Sequence, residues 1–361
     1  MPVILRILRR RIPSKEKQKK KQTILFFSII NLVIPAKVGI YTNKIYLMPW
    51  WRNWQTRESQ TLVRLTSRVG STPTHGTIMK NIFISNPNKL KKVKENISKD
   101  GPKKLHILSD FDRTLTTAFV DKKPVPSLIS ILRDYNYLTP EYCKKAQALY
   151  KKYRPIEISP SIPYNEKKKA MHQWWTTHFN LLIKTGLHKR DVKKVIRSGK
   201  VELRPGTLKL LDFLKSQNIP LVILSSSGLG FEAISWYLKN KNRLYGNIYI
   251  ISNTFEWDKK GKLTGVKKPI IHSMNKDETS IKNLPIYKII KNRKNVLLLG
   301  DSLQDVGMIT GFNCKNLIKI GFLNKNIKEN LPYYKKAYDV LLTNDTSMKF
   351  VNNLLRKILI H

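Results

Sequence analysis

Acidic residues are scarce in this chain. Asp and Glu number 24 against 68 Lys and Arg, which leaves a formal net charge of +44. Cysteine is nearly absent. Cys143 and Cys314 lie far apart and match no metal or redox spacing, so a thiolate metal site and a disulfide framework are both excluded. They read as ordinary buried thiols in a reducing compartment. Long apolar runs are missing too. The run from Ile24 to Pro35 falls well short of the ~20 residues that cross a bilayer, which argues against a membrane anchor. It follows a basic stretch and so has the outline of a signal peptide, but no convincing small-residue cleavage site follows, and export is not expected. No internal repeat is present.

The charge admits two readings. A nucleic-acid binder would use Lys and Arg to neutralise phosphates. A proteome rich in A and T codons would also load a chain with Lys, Asn and Ile. The lysines are scattered through every segment instead of forming one stripe, and Asn is abundant, which favours the second reading. Either way, a positive field would help to attract an anionic phosphate substrate.

Residues 1–80 differ from the rest. The stretch Trp50-Trp51-Arg52-Asn53-Trp54-Gln55-Thr56-Arg57, running on to Ser71-Thr72-Pro73-Thr74-His75-Gly76, resembles a conceptual translation of a transfer-RNA gene. On that reading the true start is Met79; the alternative is a genuine disordered basic arm. Neither gives this region a core.

From Leu105 the pattern becomes orderly. Apolar runs of strand length occur at Leu105–Leu108, Leu221–Leu224, Ile248–Ile251, Val296–Leu299, Leu317–Ile320 and Val340–Leu342, alternating with helical stretches. Such alternation predicts an α/β fold, a parallel sheet with helices on both faces. Residues 124–203 interrupt it after the first strand with a helical, aromatic and basic insertion punctuated by Pro155, Pro160 and Pro163. The expected layout is therefore a core of 81–123 and 204–361 carrying a helical cap at 124–203. Asp258-Lys259-Lys260-Gly261 reads as a hairpin turn.

Chemistry gathers at the strand ends. The first strand runs into Ser109-Asp110-Phe111-Asp112-Arg113-Thr114-Leu115-Thr116. Carboxylates two residues apart past a buried strand project to one side, at the sheet edge where open α/β folds bind ligands. Two buried anions side by side require a cation, and a hard divalent ion such as Mg²⁺ suits oxygen ligands. Another buried strand ends in Gly300-Asp301-Ser302-Leu303-Gln304-Asp305, where Gly300 allows a tight turn and Asp301 can complete a metal shell. Between them, Leu224-Ser225-Ser226-Ser227-Gly228 offers hydroxyls and backbone N–H groups to a phosphoryl oxygen. Lys276, in Asn275-Lys276-Asp277, is one lysine among many, and spacing alone does not select it.

In the order Asp110/Asp112, Ser225, Lys276, Asp301/Asp305, these residues resemble the four motifs of haloacid dehalogenase (HAD) phosphatases. Arg154-Pro155-Ile156-Glu157-Ile158-Ser159-Pro160, Trp174-Trp175-Thr176, Ile251-Ser252-Asn253, Ile271-His272-Ser273-Met274-Asn275-Lys276 and Ile320-Gly321-Phe322-Leu323-Asn324 are similar to the cytosolic type III, pyrimidine 5′-nucleotidase family. The resemblance spans Lys104 to Ile358. It implies a HAD-like Rossmannoid core, cytoplasmic location, and Mg²⁺-dependent hydrolysis of a nucleoside monophosphate through an aspartyl-phosphate. Asp110 would be the nucleophile and Asp112 the acid and base. Mg²⁺ would be held by Asp110, the carbonyl of Asp112 and Asp301, with Asp305 orienting the shell or Lys276. Lys276 and a serine would stabilise the phosphoryl group, and Glu157 and His178 would meet the base. No protein, nucleic-acid or membrane partner is implied.

Three departures qualify this. Arg113 stands where the family has Met. Ser225-Ser226-Ser227-Gly228 replaces Ser-Ala-Gly, so that Ser225 or Ser226 could serve phosphate. His178 replaces a base-contacting Ser. Glu157, between Pro155 and Pro160, is expected in a stiff loop. A HAD phosphatase for another small phosphomonoester, and a basic nucleic-acid binder on a decayed HAD fold, are the alternatives.

Overall fold

The computed structural model describes residues 81–159, 161–277 and 282–360. Segment 1–80, with the export, transfer-RNA and Met79 readings attached to it, lies outside the described residues.

A short strand β1 (Ile82–Ile84) leads through helix α1 (Pro87–Asp100) into β2 (Leu105–Ser109). A small hairpin follows, β3 (Phe119–Val120) and β4 (Lys123–Pro124), turning at Asp121 and Lys122, both at positive φ. Four helices form the insert: α2 (Leu128–Asp134), α3 (Pro140–Ile158), α4 (Tyr164–Lys184) and α5 (Lys189–Arg197). The chain then returns through α6 (Thr207–Ser216), β5 (Leu221–Leu224), α7 (Gly230–Asn240) and β6 (Ile248–Ile251). The hairpin β7 (Phe255–Trp257) and β8 (Leu263–Val266) turns at Asp258–Gly261 as expected, closed by Asp258 N–H donating to Lys262 O at 2.9 Å. Last come α8 (Pro285–Ile290), β9 (Asn295–Gly300), a 3₁₀ segment (Leu303–Ile309), β10 (Asn316–Leu323), α9 (Ile327–Ala337), β11 (Val340–Thr343) and α10 (Lys349–Leu359).

The seven-stranded sheet has the order β1-β11-β10-β9-β2-β5-β6. Neighbours pair in parallel except β1, which runs antiparallel to β11 with Ile82 opposite Leu342. Every apolar run named from the sequence forms a strand. β1 was not foreseen: three residues are too few for a pattern to show.

The central strands read as unbroken apolar runs because both faces are covered. Leu105, Ile107, Ile223, Leu297 and Leu299 pack into one core, while Leu108, Val222, Leu224, Val296 and Leu298 face the other. The alternation by two fixes the register, since a one-residue slip would exchange the two cores.

Two local expectations are corrected. Cys143 and Cys314 are free thiols but only half-buried. Glu157 lies in the last turn of α3, not in a loop, because Pro155 falls where the helix is already ending and Ser159 N–H donates to Pro155 O at 3.1 Å. No described helix is long and apolar enough to cross a membrane.

Candidate active site

The order β9-β2-β5 sets three strand ends side by side, and three of the four predicted motifs leave them. Asp110 follows β2, tethered by its N–H to Leu299 O of β9 at 3.0 Å. Asp301 follows β9, and Ser225 follows β5, its N–H donating to Ile251 O at 3.0 Å.

Lys276 reaches this edge from the loop after β8. Its ammonium Nζ lies 2.7 Å from Asp110 Oδ1 and 2.6 Å from Asp305 Oδ1, with all three side chains buried. The loop is shaped by neighbouring amides. Asn253 accepts from Ile271 N–H at 2.8 Å, and Asn275 accepts from His272 N–H at 2.7 Å. Tyr164 of the insert donates to Met274 O at 2.7 Å, so the insert touches the segment that carries the lysine.

Asp305 does a second job. Its Oδ2 accepts the N–H groups of Asp301 at 3.1 Å and Ser302 at 2.9 Å, and the Ser302 hydroxyl at 2.9 Å, capping the 3₁₀ segment. Gly300 is required here for space rather than for a tight turn, because a Cβ on it would stand 2.5 Å from Asp305 Cβ. Tyr334 fixes the far side by donating to Asp301 O at 2.9 Å. Sequence reasoning did not single out Tyr334; an aromatic near a helix end carries no signal of its own.

Carboxylate oxygens of Asp110, Asp301 and Asp305 come within 4.8 Å of one another. Their electrostatics follow. Burial, together with Asp305 and Asp301, holds the Asp110 carboxyl well above the usual range against the pull of Lys276. Burial and Asp305 push Asp301 up to about 7. Burial also lifts Asp112 to about 6, and its Oδ1 has no hydrogen-bond partner. Burial works against the Lys276 charge, yet Asp110 and Asp305 keep its pKa above the ordinary lysine value. The four carboxylates of Asp110, Asp112, Asp301 and Asp305 thus outnumber the two cations that act on them, Lys276 and Arg113.

The serines separate by environment. Ser225 is buried, Ser226 is half-exposed, and Ser227 Oγ accepts from Leu229 N–H at 3.3 Å. Neither Ser225 nor Ser226 spends its hydroxyl on a protein partner among the described residues. Trp175 roofs this loop, since a Cβ on Gly228 would meet its ring at 2.6 Å. Trp174 is buried against Tyr153 and Met274, while Trp175 is half-exposed and stacks on Phe179 at 5.5 Å.

The two base-contact candidates sit differently. Glu157 is ion-paired through Oε2 with Arg154 and is not a solitary carboxylate. His178 is buried within the insert, its Nε2 3.3 Å from the Tyr142 hydroxyl and its ring edge-on to Trp175 at 5.5 Å. Burial lowers its pKa to about 3, so the ring is neutral.

Known proteins match this arrangement. The family described as pyrimidine 5′-nucleotidase (UMPH-1) matches residues 113–359. The 7-methylguanosine phosphate-specific 5′-nucleotidase of Gallus gallus is 33% identical over 279 residues, 77% of this chain and 96% of that protein. The protein of the same description from Homo sapiens is 33% identical over 285 residues, 78% of this chain and 94% of its own. The chain belongs to the UMPH-1 pyrimidine 5′-nucleotidase family. A crystal structure of cytosolic 5′-nucleotidase IIIB bound to cytidine superimposes with a TM-score of 0.70 at 28% identity, covering 78% of this chain and 94% of that one. As a UMPH-1 member the chain is a 5′-nucleotidase, a hydrolase on the HAD-type α/β fold. The matched residues begin directly after Asp112, so this match rests on the insert, the Lys276 loop and the Asp301 motif and not on the strand that leads to Asp110.

Proposed function

We propose that this chain hydrolyses nucleoside 5′-monophosphates with Mg²⁺, through a phosphorylated Asp110. The observation that carries the proposal is the Lys276 ammonium, buried between Asp110 and Asp305 at 2.7 and 2.6 Å beside Asp301. It supports a site built to receive a phosphoryl group.

The donor set fits a hard divalent cation, being all oxygen, buried and under-neutralised. Asp110, Asp301 and the Asp112 carbonyl would hold Mg²⁺, with Asp305 behind them. Bound there, it would neutralise the gathered carboxylates and polarise a phosphoryl oxygen.

The chain's own residues do the rest. Asp110 attacks phosphorus as a carboxylate nucleophile, and the P–O bond to the ribose 5′-oxygen breaks. Asp112, whose lifted pKa lets it carry a proton near neutrality, gives that proton to the departing oxygen. It then takes one from the water that splits the aspartyl-phosphate. Lys276 and the Ser225 hydroxyl stabilise the charge on the phosphoryl oxygens, with Ser225 preferred to Ser226 for its burial at the strand end.

The insert acts as the cap that reads the base. Trp175 lies half-exposed above the phosphate loop, and Glu157 keeps one oxygen outside its Arg154 pair. A carboxylate prefers amine-bearing ring edges, such as those of cytosine and 7-methylguanine, to the uracil carbonyl. The described substrate of the animal relatives and the cytidine in the solved structure both have such edges. His178, buried behind Trp175, serves by positioning that ring and does not meet the base directly. The relatives described as cytosolic favour a cytoplasmic enzyme.

Phosphate release from CMP, UMP, AMP, GMP and 7-methylguanosine monophosphate, with and without Mg²⁺, tests the proposal. Turnover of CMP or 7-methylguanosine monophosphate above UMP is expected. Activity confined to non-nucleotide phosphomonoesters would overturn it.

A further inference from the structure

Arg204 touches none of the groups above, yet it heads the fully buried side chains by size among the described residues. Its guanidinium draws three segments together. Nε donates to Thr114 O at 2.8 Å, and Nη1 donates to Thr346 O at 2.7 Å and pairs with Asp345 at 2.8 Å. Nη2 donates to Arg113 O and to Asn324 Oδ1 at 3.2 Å, and the group lies 4.3 Å over the Phe322 ring. Its partners extend the clamp. Asn324 Nδ2 donates to Arg113 O at 3.1 Å. Asp345 accepts from Ala118 N–H at 3.0 Å, from Phe119 N–H at 2.9 Å and from the Thr117 hydroxyl.

What is clamped is the backbone directly after Asp112. Arg113 sits at φ 61, in the left-handed region that a residue with a Cβ rarely adopts, with its N–H donating to Thr116 Oγ1 at 2.8 Å. Asp112 itself has no side-chain anchor among the described residues, and its Oδ1 is buried without a partner. Its direction is therefore set by the backbone, whose next two carbonyls, those of Arg113 and Thr114, are both held by Arg204. Only a planar guanidinium presents donors enough, in fixed directions, for carbonyls from separate segments.

We propose that Arg204 is a positioning residue for the reaction, aiming Asp112 at the leaving oxygen through the Arg113 and Thr114 carbonyls. This rests on the reading of Asp112 as the proton donor. A merely structural arginine would lower all activity alike. An aiming residue makes the loss depend on how much the leaving group needs a proton.

The test measures single-turnover rates of phosphoryl transfer, with CMP as the alkyl ester and p-nitrophenyl phosphate as the aryl ester, whose leaving group departs as a stabilised anion. Arg204→Lys and Asn324→Ala are compared with Asp112→Asn, and melting temperatures are recorded for each. Misplacing a catalytic group by about an ångström costs on the order of 10²-fold. Arg204→Lys should lose about that on CMP and only a few-fold on the aryl ester, with little change in KM. Asn324→Ala, which removes one donor from the Arg113 carbonyl, should show the same bias more weakly. If Asp112→Asn is biased against CMP and both clamp variants lose the two activities equally, the proposal is overturned. If Asp112→Asn shows no bias, the reading of Asp112 fails first. Should Arg204→Lys not fold, the half-buried Asn324→Ala decides by the same ratio.

Discussion

The sheet edge and the helical insert solve different problems, and their side chains show it. At the edge, Asp110, Lys276 and Asp305 are already in contact, so phosphoryl chemistry is pre-organised. In the insert, Glu157 is paired with Arg154 through one oxygen, and the half-exposed Trp175 ring packs against both Trp174 and Phe179. The edge brings its charged groups together without substrate, whereas the insert is proposed to read the base. Changes at the edge should therefore lower every activity, and changes in the insert should redistribute activity among bases.

The largest effect should come from the nucleophile. Asp110→Asn keeps the shape and removes the attacking anion, so hydrolysis of both nucleotide and aryl phosphate should fall on the order of 10⁴-fold or more. Residual turnover near the starting level in steady-state assays would break the assignment of the edge. Chelation with EDTA should abolish activity and added Mg²⁺ restore it, because the carboxylates at this edge outnumber Lys276 and Arg113. Full activity in EDTA would contradict the metal reading. Lys276→Met should cost on the order of 10²-fold in kcat on all substrates, and a loss confined to one base would move Lys276 to the insert's side of the comparison.

Glu157→Gln sharpens the other side. Leaving a buried polar group unpaired costs about 1–3 kcal/mol, so CMP should lead UMP by roughly tenfold or somewhat more. The variant should narrow that gap and leave the aryl phosphate untouched. An equal loss on all three would make Glu157 a partner of Arg154 and nothing more.

The smallest expected effect concerns stability. Burial lowers the pKa of His178 to about 3 and that of His106 to about 4 from an ordinary value of 6.5. Below pH 6.5 the unfolded chain takes up protons that the folded chain refuses. The stability from these neutral rings is thus complete above 6.5 and declines as pH falls towards the folded values. The raised carboxyls of Asp301 and Asp112 work the opposite way over pH 7 to 5, so the histidine part is read by difference: the melting temperature of His178→Gln relative to the starting protein should rise as pH falls. A difference that stays constant with pH would show that His178 does not contribute.

The same division governs what the sequence reveals. Asp110, Asp112, Ser225, Asp301 and Asp305 are legible because each follows an apolar run, and a strand end in an α/β sheet is already a place. Lys276 is chemically indistinguishable from its many neighbours, and only its resemblance to a family selects it. The prolines flanking Glu157 suggest a loop, whereas a helix tolerates Pro155 in its final turn. Arg204 left no trace. Its role depends on Arg113, Asn324 and Asp345 meeting in space, and no spacing along the chain encodes that. The insert is the hardest region to read, since its aromatic residues serve packing and recognition with the same residue types.

The central claim is that Asp110 is itself phosphorylated. Rapid quenching of the enzyme with ³²P-labelled CMP in acid, followed by peptide mapping, addresses it most directly. Label on the peptide containing Asp110, absent from Asp110→Asn and formed before phosphate is released, is the predicted result. Phosphate release with no labelled protein at any quench time, or label on a peptide without Asp110, would contradict it.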